Sequence, residues 1–127
     1  MKIVRILQDQ RGTTAIEFAL TAPAFFLFIL GIFGCGLLFW TQVALQHGAE
    51  MAARCASINS ALCPTSDPTA ISNYAAQQTL GLNPPLSTFI YSTPACGNQV
   101  SASYTFQFTK LLNLSPLTLT AKACYPA

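Results

Sequence analysis

The sequence predicts an α+β protein. A long N-terminal membrane-spanning helix continues as an amphipathic stalk and carries a small C-terminal head of one short helix and an antiparallel sheet of about three strands. Three observations predict this class. No Asp, Glu, Lys or Arg occurs between Glu17 and Glu50, polar residues then recur at a helical spacing, and the last third alternates between apolar and polar residues.

The composition argues against several classes of function. Only 8% of the 127 residues are charged, and the net charge of +2 provides no basic patch for nucleic acid. The head has few acids and no paired carboxylates, and no CxxC or HxxxH metal spacing is present. We therefore expect no enzymatic activity, no cofactor, no metal and no nucleic-acid partner.

The first predicted element is a helix from about residue 13 to about residue 57. The apolar run between Arg11 and Trp40 exceeds the roughly 20 residues that a helix needs to cross the hydrocarbon layer. Beyond it, polar residues return every four positions, which places them on one side of a helix opposite an apolar, alanine-rich face that includes Val43, Leu45 and Met51. They are Gln42, Gln46, Glu50 and Arg54, the last two spaced as an i, i+4 ion pair.

The predicted head begins after this helix. Asp67 and Pro68 fit an N-cap and a first turn, and Gly81 fits a helix stop. The buried candidates of this second helix are Ile71, Tyr74, Ala75 and Leu80. Alternation predicts strands over 100–109 and 117–125, with a third plausible strand over 86–91.

The chain order predicts three parts: a cytoplasmic leader over 1–12, the membrane and stalk helix over 13–57, and an extracytoplasmic head over 58–127. Lys2, Arg5 and Arg11 precede the apolar run, whereas Arg54 is the only basic residue soon after it. By the positive-inside rule, the N-terminus stays in the cytoplasm and the head crosses the membrane.

Four cysteines lie outside the membrane segment, and this even set favours two disulfides over free thiols in an oxidising compartment. The sequence does not fix the pairing. Proximity favours Cys55 with Cys63, which leaves Cys96 with Cys124.

Glu17 is the unexpected residue in the apolar run, because a carboxylate within the membrane is costly unless it is paired or lies in the headgroup zone. Cleavage after Gly12 would make Thr13 a free α-amino terminus, one helical turn from Glu17 on the same face. The new ammonium and the carboxylate would then neutralise each other, within one subunit or between neighbours, and pairing between subunits would set an axial register.

The residues Arg11, Gly12, Glu17 and Phe18, placed before a long apolar helix, resemble type IV pilin-like precursors. The segment RGTTAIEFALTAPAFFLFILGIF is most similar to TadE-like proteins, the minor pseudopilins of tight-adherence (Tad/Flp) pili. The resemblance covers residues 10–56. Pilin subunits of these systems usually have Tyr after the Glu, so Phe18 fits the pseudopilin branch better.

This resemblance implies a precursor that a prepilin peptidase cleaves between Gly12 and Thr13. Arg11, Glu17 and Phe18 would then serve recognition and assembly register. The implied partners are the peptidase, other pilins or pseudopilins, and membrane lipid, with oligomerisation through the N-terminal helix. The implied role is assembly or initiation of the pilus.

Two alternatives remain open at the level of sequence. The chain fits an uncleaved single-pass membrane protein with an extracytoplasmic binding head. It also fits a lipoprotein acylated at Cys35, although Phe33 is large for a lipobox and apolar sequence continues to Trp40. His47 has no oriented partners for catalysis, so we expect it on the stalk surface.

Overall fold

The computed structural model describes residues 12–107 and 115–126. Two helices are followed by a short 3-10 helix and three strands, and the predicted α+β class is confirmed. The elements are α1 (Thr13–Ser57), α2 (Pro68–Gln77), the 3-10 helix (Leu86–Thr88), β1 (Phe89–Ser92), β2 (Asn98–Phe106) and β3 (Leu117–Tyr125). The chain divides into two compact units, one up to Gly36 and one from Leu37 onward.

The unit up to Gly36 has almost no core of its own. Nearly all its described side chains are exposed, including large ones such as Phe25, Leu27 and Phe33. The helix assignment runs through Pro23. By length and composition, α1 can cross a membrane: its most apolar window has a mean hydropathy of 2.3 and is only 6% buried.

The second unit has a core in which α1 contributes mainly alanine. Buried residues of α1 pack with Ile71 and Ala75 of α2 and with Phe89, Val100 and Leu119 of the sheet. Because alanine is small, the helix backbone can approach its neighbours closely. The α1 residues in this core are Leu45, Ala49, Ala52, Ala53 and Ala56.

Gly48 marks the closest approach of α1 to the rest of this unit. A Cβ added there would lie 2.8 Å from the backbone oxygen of Ala75, 3.0 Å from Cγ2 of Thr79 and 3.2 Å from Cζ of Phe89. The first distance is shorter than real Cβ contacts, and its partner is backbone, which cannot rotate away. This position therefore requires glycine for space.

The three strands form one antiparallel sheet in the order β1-β2-β3. Val100 on the central strand lies opposite Tyr91 of β1 and Ala123 of β3. Alternation then turns Val100, Ala102 and Leu119 inward and leaves Ser103 and Thr120 on the outer face. The predicted half-buried sheet is therefore present, with β2 beginning at Asn98.

The polar side of α1 contacts the free edge of the sheet, which the sequence did not indicate. The Gln42 side-chain amide donates to the Thr120 carbonyl (2.9 Å), and the Gln46 amide donates to the Lys122 carbonyl (3.3 Å). The Gln46 side-chain amide also donates to the Glu50 carboxylate (2.8 Å). Glu50 makes this hydrogen bond in place of the expected ion pair with Arg54. Edge carbonyls of β3 are thereby satisfied.

Three local expectations were wrong. Residues 86–88 form a 3-10 helix rather than strand, because Pro85 leads the chain into a turn in which the Thr88 N–H donates to the Pro85 carbonyl (2.9 Å). Leu80 is exposed rather than buried, since the chain adopts positive φ there (52°) and at Gly81. Val43 lies outside the apolar face and is exposed.

The N-terminus of α2 is capped as predicted. The Asp67 carboxylate accepts hydrogen bonds from the backbone N–H groups of Thr69 (3.0 Å) and Ala70 (3.3 Å), and from the Thr69 hydroxyl (2.6 Å). These bonds favour the charged carboxylate, so they lower the pKa of Asp67 below its ordinary value, with the Thr69 hydroxyl contributing most.

Two disulfides close loops in the second unit. Cys55 pairs with Cys63 across a Cα–Cα distance of 5.7 Å, and Cys96 pairs with Cys124 across 6.3 Å. These are the pairs that the sequence favoured. The first joins the end of α1 to the loop before α2, and the second joins the β1–β2 connection to β3.

Candidate processing and assembly site

The candidate cleavage position lies at the start of α1. Gly12 directly precedes the helix, and Thr13 is its first residue. Gly12 is exposed, and a Cβ built on it would have no heavy atom within 4 Å outside its own neighbours. Its glycine is therefore not required by packing inside the described chain. Arg11, which the sequence analysis included in this motif, lies outside the described residues.

Glu17 lies one turn into α1 and is exposed. The first turn of the helix contains no acidic residue, so Glu17 is the first carboxylate within α1. A carboxylate near a helix N-terminus is favoured by the helix dipole. The Thr21 hydroxyl donates to the backbone carbonyl of Glu17 (2.9 Å), so that hydroxyl is satisfied within the helix.

Phe18 follows on the neighbouring side of the helix and is 71% exposed. The structure thus brings Gly12, Thr13, Glu17 and Phe18 together on one exposed helix start. An exposed backbone, a carboxylate one turn further on and an aromatic ring offer a second protein three distinct features to bind. Chemically, the site presents a peptide bond to be cut and a charge to be paired, without a nucleophile of its own.

Part of the chain matches a known protein family. The model described as TadE-like protein matches residues 12–54, from the glycine before α1 almost to the end of that helix. The N-terminal helix is therefore similar to TadE-like proteins over these residues. The resemblance predicted from the sequence is confirmed over this segment, and it supports a TadE-like protein of Tad pilus systems. No curated protein matches the chain, and no solved structure does.

The match and the helix agree on one broad conclusion. The TadE-like match suggests association with a Tad pilus system. Within the part of the chain that the structure describes, α1 is the one helix long and apolar enough to cross a membrane. This helix suggests membrane association. The TadE-like match ends before α2, so the head contributes nothing to this identification.

His47 is not the surface residue that the sequence analysis expected. It is half-buried, and its Nδ1 lies 2.9 Å from the Gln78 carbonyl oxygen. A carbonyl oxygen only accepts, so Nδ1 carries the proton in this bond. His47 therefore ties α1 to the end of α2. Across residues 12–107 and 115–126, no group of three or more His, Cys, Asp or Glu side chains is placed to hold a metal.

The sequence missed the structural roles of His47, Gln42 and Gln46. The spacing of these residues predicted an exposed side of α1. Nothing in the neighbouring sequence indicates that α2 and the edge of β3 contact that side. Cys35 is an exposed free thiol inside α1.

Proposed function

We propose that this chain is a minor pseudopilin: a structural subunit that a prepilin peptidase cleaves between Gly12 and Thr13 and that then takes part in assembly or initiation of a Tad/Flp-type pilus. The observation that carries the proposal is the TadE-like match over residues 12–54, which begins at the glycine before the helix. The exposed helix start supports the same reading, because a protease must reach the Gly12 backbone.

Cleavage after Gly12 would add a positive charge at the start of α1. Hydrolysis of the Gly12–Thr13 bond consumes one water, releases residues 1–12 with a new carboxylate, and leaves an ammonium group on Thr13. Before cleavage, Glu17 enters the apolar layer with no opposite charge in its own helical turn. After cleavage, the ammonium lies one turn away, so the pair is neutral and much less costly to place among apolar helices.

The large exposed side chains of α1 support the assembly step. Within a membrane they contact lipid, and in a fibre they would contact the helices of neighbouring pilins. Since lipid and neighbouring helices are both apolar, packing and charge pairing decide the association. Among residues 12–36, Glu17 is the one acidic residue, and it would therefore select the axial position of each subunit against its neighbour.

The proposed topology places the N-terminus in the cytoplasm and the head outside the inner membrane. The two disulfides support an oxidising location for the head. The proposed partners are the prepilin peptidase and other pilins or pseudopilins of the apparatus. Adhesion would then be a property of the assembled pilus to which this subunit contributes.

The test is the mature N-terminus of the protein in cells that carry the matching peptidase. Intact mass and N-terminal sequencing of membrane-extracted wild type are expected to give a chain that begins at Thr13. Gly12→Leu should leave the full precursor, whereas Gly36→Leu, at a second glycine with open space around it, should be processed normally. A wild type that keeps Met1 would instead indicate an uncleaved anchor, and an acylated Cys35 terminus would indicate a lipoprotein.

A further inference from the structure

The two most exposed large apolar side chains that the structure describes from Leu37 onward are Ile58 (68%) and Leu62 (70%). Ile58 directly follows α1, and Leu62 lies in the connection to α2. A single exposed apolar side chain is ordinary, but these two line one depression of the surface. Adjacent exposed apolar side chains indicate a surface that another molecule covers.

The connection between α1 and α2 is held in one arrangement. The Cys55–Cys63 disulfide closes it against the end of α1. Within it, the Thr65 N–H donates to the side-chain oxygen of Asn59 (3.3 Å). A surface that is ordered before binding loses less conformational entropy when a partner arrives. The two exposed apolar side chains are therefore presented in a preorganised form.

This surface continues from the last turns of α1 to the outer side of α2. Two adjoining depressions share Leu62 and Tyr74 and together form a groove. Its α1 side is lined by Met51, Arg54 and Ile58, and we call it the Arg54 groove. Tyrosine, methionine and arginine are enriched in protein–protein interfaces relative to the rest of a protein surface. The composition of the groove therefore favours a protein as its occupant.

Arg54 is the one charged residue that lines this groove. Its side chain is exposed, and within the described residues its guanidinium has no hydrogen bond or ion pair. Glu50, one turn earlier, accepts a hydrogen bond from Gln46. The helix dipole favours a cation in the last turn of α1, but it leaves the five N–H donors of a guanidinium unbonded. The groove thus combines an unpaired planar donor with apolar side chains.

We propose that the Arg54 groove binds a segment of another protein that presents apolar side chains next to a carboxylate. The carboxylate would pair with the Arg54 guanidinium through charge-assisted hydrogen bonds, which this planar group forms two at a time. The apolar side chains would cover Ile58 and Leu62. The inference goes beyond the proposed function, because it does not depend on cleavage after Gly12.

A second copy of this chain is a poorer source of the carboxylate. The acidic side chains that the structure describes in the second unit are Glu50 and Asp67, and both already accept hydrogen bonds. In a two-fold dimer through this surface the groove would face itself and bring two Arg54 charges together. Charge complementarity therefore favours a different protein.

The Arg54 groove is remote from the end of the sheet where residues 108–114 connect β2 to β3. The hydrogen bonds between α1 and β3 run in the same direction along both elements and place Gln46 level with Lys122. From that level, Leu117 lies about 17 Å away along β3, and Ile58 lies about 18 Å away in the opposite direction along α1. A connection of this length extends at most about 17 Å before it must return. The exposure of the groove therefore does not depend on residues 108–114.

The test places the photo-crosslinking residue p-benzoylphenylalanine at Leu62 of the full-length chain, in the cells to which the chain is native. Ile90 is the matched control position, because it is an aliphatic residue of the second unit that is 61% exposed outside the groove. Mass spectrometry identifies the cross-linked molecule and the segment that carries the link. Arg54→Gln and Lys122→Gln each remove one exposed positive charge, and only the first lies in the groove. Intact disulfides by mass confirm that each variant folds.

We expect a cross-link at position 62, and none at position 90, to a different protein through a segment with Asp or Glu beside apolar residues. Arg54→Gln should lower the yield about fivefold, as expected for the loss of one partly exposed ion pair. Lys122→Gln should leave the yield unchanged.

A cross-link to lipid or to a second copy would overturn the proposed occupant, and so would a segment without a carboxylate or a yield independent of Arg54. No adduct at position 62, or equal adducts at both positions, would overturn the docking surface itself. The same spectra report the mature N-terminus separately. A chain that keeps Met1 and still gives the Arg54-dependent adduct would contradict the proposed cleavage and support this inference.

Discussion

Up to Gly36, α1 exposes Phe25, Leu27 and other large apolar side chains, whereas from Leu37 onward it buries small ones such as Ala49 and Ala53. The more apolar part of the helix is thus the part without a core. In the second unit, small residues let α2 and the sheet approach the helix backbone, and packing within the chain buries them. In the first unit, the large residues have no core in the described chain, and the proposed function gives them lipid or other subunits as partners.

If contacts and disulfides within the second unit stabilise it, removal of the disulfides should cause the largest decrease in its free energy of unfolding. Loop entropy gives about 3.5 kcal/mol for the 28-residue separation of Cys96 and Cys124, and about 2.5 kcal/mol for the 8-residue separation of Cys55 and Cys63. Each disulfide is removed by replacing both of its cysteines with serine. Denaturant unfolding of each variant in detergent, monitored by tyrosine circular dichroism, measures the decrease in the free energy of unfolding. All four tyrosines lie in this unit, so the signal reports on it alone.

Cys35→Ser is the matched control in the first unit, because this cysteine is free and exposed. It should leave the free energy of unfolding of the second unit unchanged. An equal decrease in the free energy of unfolding for Cys35→Ser and for the disulfide variants would contradict the separation of the two units.

Gly48 and Gly36 compare the two parts of α1 directly. Gly48→Leu should destabilise the second unit by about 1–3 kcal/mol, because its side chain would overpack the contact with the Ala75 backbone. Gly36→Leu, with open space around it, should leave that unit's stability unchanged or slightly improve the helix. The same tyrosine signal measures both variants, and a neutral Gly48→Leu would show that α1 and α2 are not closely packed.

The smallest expected effect concerns the Asp67 cap. Because hydrogen bonds hold the pKa of this carboxyl below its ordinary 3.8, the capped form contributes stability above that pH. The contribution is lost as the pH falls through the lower, folded-state pKa. Thermal melts of wild type and Asp67→Asn between neutral and strongly acidic pH should differ in their acid dependence, with the variant less sensitive to acid. Parallel curves would argue against the cap.

Local features were predicted from the sequence, and features made by tertiary contact were not. The bounds of α1 follow from an uncharged run joined to a four-residue period, and the Asp67 cap follows from its own neighbours. The adjacency of Gly12, Thr13 and Glu17 needs only helical geometry. In contrast, Gly48 reads as a helix breaker until α2 is placed against it, and Gln42 and Gln46 read as solvent-facing until β3 lies beside them.

The head was the hardest part to predict in detail. Leu80 has the apolarity of a core residue, but a left-handed turn carries it to the surface. Residues 86–91 were a plausible strand throughout, whereas the preceding prolines impose a 3-10 turn on the first half of this segment. In each case, the backbone conformation overrode the apolar pattern.

The most direct test of the different roles of the two units compares pilus assembly in cells that carry Glu17→Ala and in cells that carry Glu50→Ala. Both variants remove an exposed carboxylate from α1, one in each unit. We predict that both insert into the membrane, measured in the membrane fraction. Only Glu50→Ala should form pili that can be sheared from cells and counted by electron microscopy. Normal pili from Glu17→Ala cells would contradict the role of the N-terminal unit in assembly.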